Sequence, residues 1–189
     1  FTNDTNQFFS DFRKYKLASF LQLSSQEKMK NISNTYFLNN PILYHNPAYM
    51  SLFNEVYKEY FIYFGRTEYG KKIYEDINQL KSYSALNKTL QQDSILMNDT
   101  LRELVVLKCL YDEFYNDKFS RKAMLTILDT LEMETVHPEH KLIAKNIRNK
   151  VTKLMVGYHP PEFNLFDKDS NLVSLNDFKD KYVYIGFCT

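Results

Sequence analysis

The sequence predicts a mainly α-helical protein, an antiparallel bundle of helical hairpins with about seven to eight helices, followed by a short β-rich segment. Only 4 Gly and 5 Pro interrupt the 189 residues, and apolar residues recur at helical spacing along residues 1–155. At Gly157 and the Pro160–Pro161 pair this pattern stops, because these residues end or forbid helical backbone. We therefore expect an all-α domain over residues 1–155 and a second, incomplete domain over residues 156–189.

Local start signals predict the first two helices. The first is expected over residues 6–23. The stretch Ser24–Glu27 then fits a capping box, in which the Ser and Glu side chains satisfy backbone N–H groups at the start of a helix. We expect this second helix to run to about Asn39, because the Asn40–Pro41 pair disfavours helical backbone.

The third predicted helix carries the clearest amphipathic pattern. Asn46 suits the N-cap and Pro47 suits the first helical position, and Gly65 is expected to end the helix. The apolar residues that recur at spacings of three and four are Tyr49, Phe53, Val56, Tyr57, Tyr60 and Phe64. Such an aromatic stripe predicts protein core, and a wall of a ligand site is the alternative that the sequence leaves open.

Start signals also divide the second half of the helical domain. The later helices are expected over residues 67–80, 82–91, 100–115, 120–134 and 137–155. Thr100 and Glu103 fit another capping box, and the helix that they begin is apolar around much of its circumference, which predicts a central position. The last helix is expected to bury one row of apolar residues: Ile143, Ile147, Val151 and Leu154.

Few residues of the helical domain suit chemistry. A lone helical cysteine such as Cys109 usually behaves as a small apolar residue, although Arg102 nearby could lower its pKa. We expect Arg102 and Glu103 to serve helix packing or a cap. His137 and His140 stand three residues apart at a helix start, but the sequence supplies no further ligands for zinc. We predict no catalytic, cofactor-binding or metal-binding residue in this chain.

Charge and hydropathy exclude several classes of partner. The 24 Lys and Arg nearly balance the 23 Asp and Glu, and no run of like charges stands out. The sequence therefore gives no electrostatic case for binding nucleic acid or an anionic membrane. It also contains no apolar stretch of the length that spans a bilayer and no recognisable signal peptide, so no membrane span is expected.

Residues 156–189 have a different pattern, that of a β-hairpin, a helical turn and a buried strand. Phe163 and Leu165 alternate as on a half-buried strand, and residues 167–171 have the composition of a turn. A returning strand at residues 172–174 and one helical turn at 175–178 follow. The apolar, β-rich residues 182–187 predict a strand that is buried on both faces.

Seven residues of this segment share the spacing of a known pattern: Pro161, Phe163, Leu165, Asp167, Leu175, Phe178 and Lys181. Over residues 158–187 the chain resembles the N-terminal segment of the TlpA/ResA-like thiol–disulfide oxidoreductases of the thioredoxin superfamily. The resemblance implies a truncated β-hairpin plus strand of a thioredoxin-like fold, placed after an all-helical domain. A truncated fold of this kind leaves the strand at residues 182–187 unpaired. We expect this segment to be disordered, to pack on the helical domain or to pair with another chain, in which case a homo-oligomer could form through it.

The segment departs from the family pattern at three positions. Asn171 and Asp180 stand where the family often has Gly, and both residue types tolerate left-handed backbone, so the turns are expected to form. Cys188 stands where the family has Trp. The resemblance places the redox cysteine pair beyond Thr189, so Cys188 is not the matching nucleophile.

The resemblance implies a function for the parent protein. It would be an extracytoplasmic thiol–disulfide oxidoreductase, located in the periplasm or cell envelope, with protein partners or protein disulfides as substrates and no cofactor. The fragment itself is expected to be redox-inactive. The sequence leaves one alternative open: a non-enzymatic helical binding or scaffold protein with a diverged thioredoxin-like module.

Overall fold

The computed structural model describes residues 6–24 and 28–186, and places most of them in α-helices, so the predicted mainly α class is confirmed. The chain divides into two units, Phe1–Asn149 and Lys150–Thr189, and each is described by itself. Within the described residues, no helix has both the length and the apolar character needed to cross a membrane.

The helices follow the predicted order, with one additional break. They are α1 (Gln7–Leu23), α2 (Met29–Ser33), α3 (Pro47–Val56), α4 (Tyr60–Phe64), α5 (Ile73–Asn78), α6 (Tyr83–Leu90), α7 (Asp99–Asp112), α8 (Arg121–Glu134) and α9 (Pro138–Thr152). A π-helical turn, Asn34–Leu38, continues α2. Short 3₁₀ turns lie at Gly70–Lys72 and Ser94–Leu96.

Side-chain caps explain where many of these helices begin. Asn6, Asn46, Ser82 and Ser120 each accept a hydrogen bond from a backbone N–H in the first turn of α1, α3, α6 and α8. Each bond satisfies a donor that has no partner within the helix. These four predicted starts are confirmed, whereas the capping box predicted at Ser24–Glu27 lies partly outside the described residues.

The predicted helix from Pro47 to Gly65 is wrong in one respect, because it is two helices. Helix α3 ends at Val56 and α4 begins at Tyr60. Between them Glu59 adopts left-handed backbone with φ 51°, which a continuous helix does not allow. Apolar residues keep helical spacing on both sides of the break, so the pattern contains no signal for it.

The fourth predicted helix begins later than expected. The Thr67 hydroxyl accepts a hydrogen bond from Gly70 N at 3.0 Å and donates one to the Phe64 carbonyl at 2.7 Å. Thr67 therefore closes a turn instead of capping a helix, and α5 starts only at Ile73. A Cβ atom at position 70 would lie 2.0 Å from the Phe64 carbonyl oxygen, so this turn requires glycine.

Two further predictions are corrected in α7 and α9. Asn98, not Thr100, caps α7, because its side chain accepts from Leu101 N at 2.9 Å. Leu154 was expected in the buried row of α9 but is 83% exposed, since α9 ends at Thr152 and Leu154 lies beyond it.

The aromatic stripe of α3 and α4 belongs to the core, as predicted. The rings of Tyr15 and Tyr49 lie 4.8 Å apart, and the Phe53 and Tyr57 rings lie 5.0 Å apart. All four side chains are buried. The Tyr57 hydroxyl shares a 2.5 Å hydrogen bond with Ser33, whereas the Tyr49 hydroxyl is buried without a hydrogen-bond partner among the described residues.

The second unit contains a two-stranded antiparallel sheet. Strand β1 (Asn164–Phe166) pairs with β2 (Leu172–Ser174), with Leu165 opposite Val173. The Asp167 carboxylate closes the connecting turn, because it accepts from the backbone N–H groups of Asp169 and Asn171 at 2.8 Å.

The segment after β2 matches the prediction only in part. The 3₁₀ turn Leu175–Phe178 has a capping box between Ser174 and Asp177. Residues 182–186 are not in a strand, so the predicted strand is wrong over its described part, and Phe187 lies outside the described residues. A strand needs a neighbour to satisfy its backbone groups, and no described residue pairs with this segment. Homo-oligomerisation through it stays a prediction.

Candidate functional site

The helical unit contains a half-buried group of hydrogen-bonded polar side chains around Glu103, which we call the Glu103 cluster. Its members are Glu103, His140, Thr135, Tyr83 and Tyr44. One carboxylate oxygen, Oε1, accepts hydrogen bonds from the Thr135 hydroxyl and from His140 Nδ1, the latter at 2.6 Å. The other oxygen, Oε2, accepts from the Tyr83 hydroxyl at 3.2 Å. His140 Nε2 lies 2.8 Å from the Tyr44 hydroxyl.

The fold brings these side chains together from distant parts of the chain. Tyr44 lies in the segment before α3, Tyr83 begins α6 and Glu103 lies in α7. Because Pro138 begins α9, His140 falls in the first turn of that helix. Thr135 lies in the short segment that connects α8 to α9. The His140 side chain is fully buried and the Glu103 side chain is 13% exposed.

Electrostatics keep the Glu103 carboxylate ionised. Burial alone would raise the pKa of this group, but the hydrogen bonds from His140 and Thr135 outweigh it and hold the pKa below its usual range. Burial and the nearby Glu139 and Glu103 carboxylates raise the pKa of Tyr44 to about 12. Burial and Glu103 also raise the pKa of Tyr83. Both phenols therefore stay protonated at neutral pH.

These protonation states fit one consistent direction of hydrogen bonding. His140 Nδ1–H donates to the ionised Glu103 carboxylate, and a neutral imidazole then accepts at Nε2 from the Tyr44 hydroxyl. A carboxylate–imidazole–hydroxyl chain of this kind serves catalysis when the hydroxyl is a nucleophile. Here it is a phenol with a raised pKa, so the arrangement orients side chains and does not activate a nucleophile.

A polar cleft of about 270 Å³ lies beside the cluster. Tyr44, Thr100, His137 and Glu139 are among the residues that line it. His137 Nε2 lies 3.2 Å from the Thr100 hydroxyl, and the His137 ring packs edge-on against the His140 ring at 5.0 Å. The Glu103 cluster thus holds one wall of the cleft in place.

The imidazole pair is not arranged as a metal centre. Both ring nitrogens of His140 take part in hydrogen bonds, to Glu103 and to Tyr44. Among the described residues, no group of three or more His, Cys, Asp or Glu side chains is placed to hold a metal ion. The contact between His137 and His140 is the edge-on packing of their rings.

The structure describes one of the two cysteines. Cys109 is buried in α7, and burial raises the pKa of its thiol. A thiol in this state is a poor nucleophile, because the reactive form is the thiolate. Cys188 lies outside the described residues.

Sequence reasoning found only part of this site. Arg102 serves helix packing, as expected, because its guanidinium donates to Asn87 Oδ1 and to the Leu96 carbonyl at 2.6 Å each. Glu103 also serves helix packing, as expected, because it bonds to His140 in α9, but its place at the centre of a polar cluster was not predicted. One signal was available in the sequence. Glu103 lies in a helix that is apolar around much of its circumference, and a carboxylate that is buried there requires hydrogen-bond partners.

No protein-family model matches the chain, and neither the curated proteins nor the solved structures contain a significant match.

Proposed function

We propose that the chain is a helical accessory domain joined to the first part of a thioredoxin-like thiol–disulfide oxidoreductase. The observation that carries this proposal is the backbone of Asp180, which is left-handed with φ 64°. In the pattern that the sequence resembles, Gly precedes the position of Lys181. Gly is favoured where backbone is left-handed, so Asp180 adopts the conformation for which Gly would be selected.

The order of the local elements also supports the proposal. Strands β1 and β2, the Asp167 turn and the 3₁₀ turn Leu175–Phe178 occur in the sequence that the resemblance implies. In the hairpin turn the left-handed residue is Ser170, with φ 61°, and not the neighbouring Asn171. Each element is common by itself, and their spacing before Lys181 makes the combination specific.

In this proposal the chemistry belongs to residues beyond Thr189. A thiolate of a cysteine pair attacks a substrate disulfide and forms a mixed disulfide, which the second cysteine resolves. Residues 1–189 are redox-inactive on their own, since Cys109 is buried with a raised pKa and Cys188 precedes the expected motif. The protein acts in the periplasm or cell envelope on protein disulfides.

The coding sequence downstream of Thr189 tests the first half of the proposal. A Cys-x-x-Cys motif within the first several codons is the expected result. The full-length parent protein should reduce insulin disulfides in the presence of dithiothreitol, and Ser in place of the first motif cysteine should abolish turnover.

The same assay on residues 1–189 tests the second half. No turnover is expected from this chain. Turnover that disappears in Cys188→Ser but persists in the matched variant Cys109→Ser would overturn the proposed inactivity.

A second candidate is a non-enzymatic helical binding protein with a diverged thioredoxin-like module. The residue at position 188 favours it, since Cys188 replaces the Trp of the pattern. A downstream sequence with one cysteine or none would establish this alternative, and the clefts of the helical unit would then be the place to look for function.

A further inference from the structure

The helical unit contains a second cavity, about 350 Å³ in volume, which we call the Arg66 pocket. It lies where α4, the turn that follows it, the first turn of α5 and the segment before α8 meet. The residues that matter for its chemistry are Phe61, Arg66, Lys71, Tyr74, Lys118 and Phe119. It shares no lining residue with the cleft beside the Glu103 cluster.

One side of the pocket is aromatic. Phe61 and Phe119 are buried, and their rings pack edge to face with centroids 6.2 Å apart. Tyr74 is 57% exposed and lies at the rim. The exposed Tyr74 ring can stack on a flat apolar group, and the buried Phe61–Phe119 pair forms the apolar floor beneath it.

The charge of the pocket has one sign. Arg66, Lys71 and Lys118 contribute three cations, and no Asp or Glu lines the cavity. Across residues 6–24 and 28–186, none of these cations lies within 4 Å of a carboxylate oxygen in an ion pair. Glu113 interacts electrostatically with Lys118, although burial raises the pKa of Glu113 overall. Three exposed cations around a cavity that no carboxylate lines attract an anion.

The wall that carries two of these cations is fixed in shape. Gly65 and Gly70 bracket the turn, and a Cβ atom at Gly65 would lie 2.7 Å from the Phe61 carbonyl oxygen. The Thr67 hydroxyl bonds across the same turn to Gly70 N and to the Phe64 carbonyl. The backbone positions of Arg66 and Lys71 are therefore set before any ligand binds, which lowers the entropic cost of binding.

We propose that the Arg66 pocket binds a small anion with a flat apolar body, such as an aromatic carboxylate or an aromatic phosphate monoester. The aromatic side accepts the ring, and Arg66, Lys71 and Lys118 neutralise the anionic group. Arg suits this role because its planar guanidinium donates two parallel hydrogen bonds to a carboxylate or phosphate. The volume lies at the lower end of the range for small-molecule sites, which fits a ligand with a single ring.

Calorimetric titration of the full chain at low ionic strength tests the proposal with four probes. Phenyl phosphate and benzoate carry both features, benzyl alcohol lacks the charge, and inorganic phosphate lacks the ring. Saturable one-to-one binding of at least one aromatic anion, about tenfold tighter than either incomplete probe, is expected. Comparison of phenyl phosphate with benzoate identifies the preferred anionic group.

Two results would overturn the proposal. The first is the lack of saturable binding by both aromatic anions. The second is binding of inorganic phosphate as tight as that of phenyl phosphate, which would show non-specific attraction of anions to a basic surface.

Charge-removing variants locate the binding. Lys71→Gln and Arg66→Gln should each weaken binding of the preferred probe about two- to fivefold, because each removes one of three exposed cations that line the pocket. Lys88→Gln is the matched control, since Lys88 is an exposed lysine that lines a different cavity. All three sites are exposed, and equal thermal unfolding midpoints would show that the variants fold. Equal weakening by Lys88→Gln and Lys71→Gln would place the binding elsewhere and overturn the assignment.

Discussion

Glu103 and His140 are joined by a 2.6 Å hydrogen bond between Oε1 and Nδ1, which ties α7 to the first turn of α9. The same carboxylate also holds Thr135 and Tyr83. One side chain thus links four segments of the helical unit. Removal of its charge should lower the free energy of unfolding of the helical unit, because the donors around it would lose a charged acceptor.

Glu103→Gln tests this role with little change of shape. We expect the free energy of unfolding to fall by about 1–2 kcal/mol, since hydrogen bonds to an ionised group are worth more than those to an amide. Urea denaturation measures the difference. Glu134→Gln, at an exposed position on α8, is the control and should change stability by less than about 0.5 kcal/mol. Equal effects of the two variants would contradict the role of the cluster.

The same group predicts a pH dependence. The pKa of Glu103 is lower in the folded protein than its ordinary value of 4.5, so the unfolded chain binds more protons in acid. The stabilisation by the ionised carboxylate is complete above that ordinary value and is lost as the pH falls through the lower folded pKa. The advantage of the wild type over Glu103→Gln should therefore shrink in acid, as measured by urea denaturation from pH 7 downwards.

The quantity to follow is the difference in free energy of unfolding between the wild type and Glu103→Gln at each pH. Burial raises the pKa values of Asp76 and Glu113, so these groups favour the folded state in acid and oppose the effect of Glu103. Both are present in the wild type and in the variant, so their contributions cancel in the difference. An advantage that grows towards acid would contradict the direction assigned to the pKa of Glu103.

The break between α3 and α4 predicts opposite effects of glycine at two neighbouring glutamates. Glu59→Gly should stabilise the fold by about 0.5–1 kcal/mol, because Gly adopts left-handed backbone without the strain of a Cβ atom. Glu55→Gly, within α3, should destabilise by about 0.5–1 kcal/mol, since Gly is a poor helix former. Thermal unfolding measures both. Destabilisation by Glu59→Gly would argue for an unbroken helix.

The turn that walls the Arg66 pocket predicts a strict requirement for glycine. Gly70→Ala should destabilise by about 1–3 kcal/mol, because the added Cβ meets a backbone carbonyl that cannot move aside freely. At Gly186 a Cβ atom would meet nothing within 4 Å, so Gly186→Ala is the control and should be close to neutral. Similar unfolding midpoints for the two variants would contradict the described turn.

Burial of Cys109 predicts an unreactive thiol. In Cys188→Ser, which leaves Cys109 as the remaining cysteine, the native protein should react with Ellman's reagent only as it unfolds. Addition of denaturant should then release one equivalent of reactive thiol. Rapid reaction of one equivalent in the native state would contradict the burial of this side chain.

Local signals predicted the helix starts well, and distant contacts account for what they missed. Asn46 and Ser120 cap helices through groups within three residues, so the sequence carries the whole signal. Glu103 and His140 are 37 residues apart, and nothing in either neighbourhood specifies the other. The break at Glu59 was missed because helical spacing continues on both sides of it.

In the second unit too, the element that local contacts determine was predicted correctly, and the one that depends on distant contacts was not. The Asp167 turn is closed by groups within four residues, and it was predicted from composition. The strand predicted at residues 182–187 depends on neighbouring strands, which no local pattern supplies. For the candidate site, the sequence pointed to His137 and His140. It did not identify Tyr44 and Glu103 as the partners of His140, because that pairing is a property of the tertiary fold.

The long separation of Tyr44 and His140, 96 residues apart, has a consequence for biosynthesis. A ribosome makes the segment of Tyr44 and all of α7 before the residues of α9 exist. Until α9 leaves the exit tunnel, the nascent chain has no imidazole to place between the phenol and the Glu103 carboxylate. The helical unit therefore reaches its final packing only after all of its own residues have been translated.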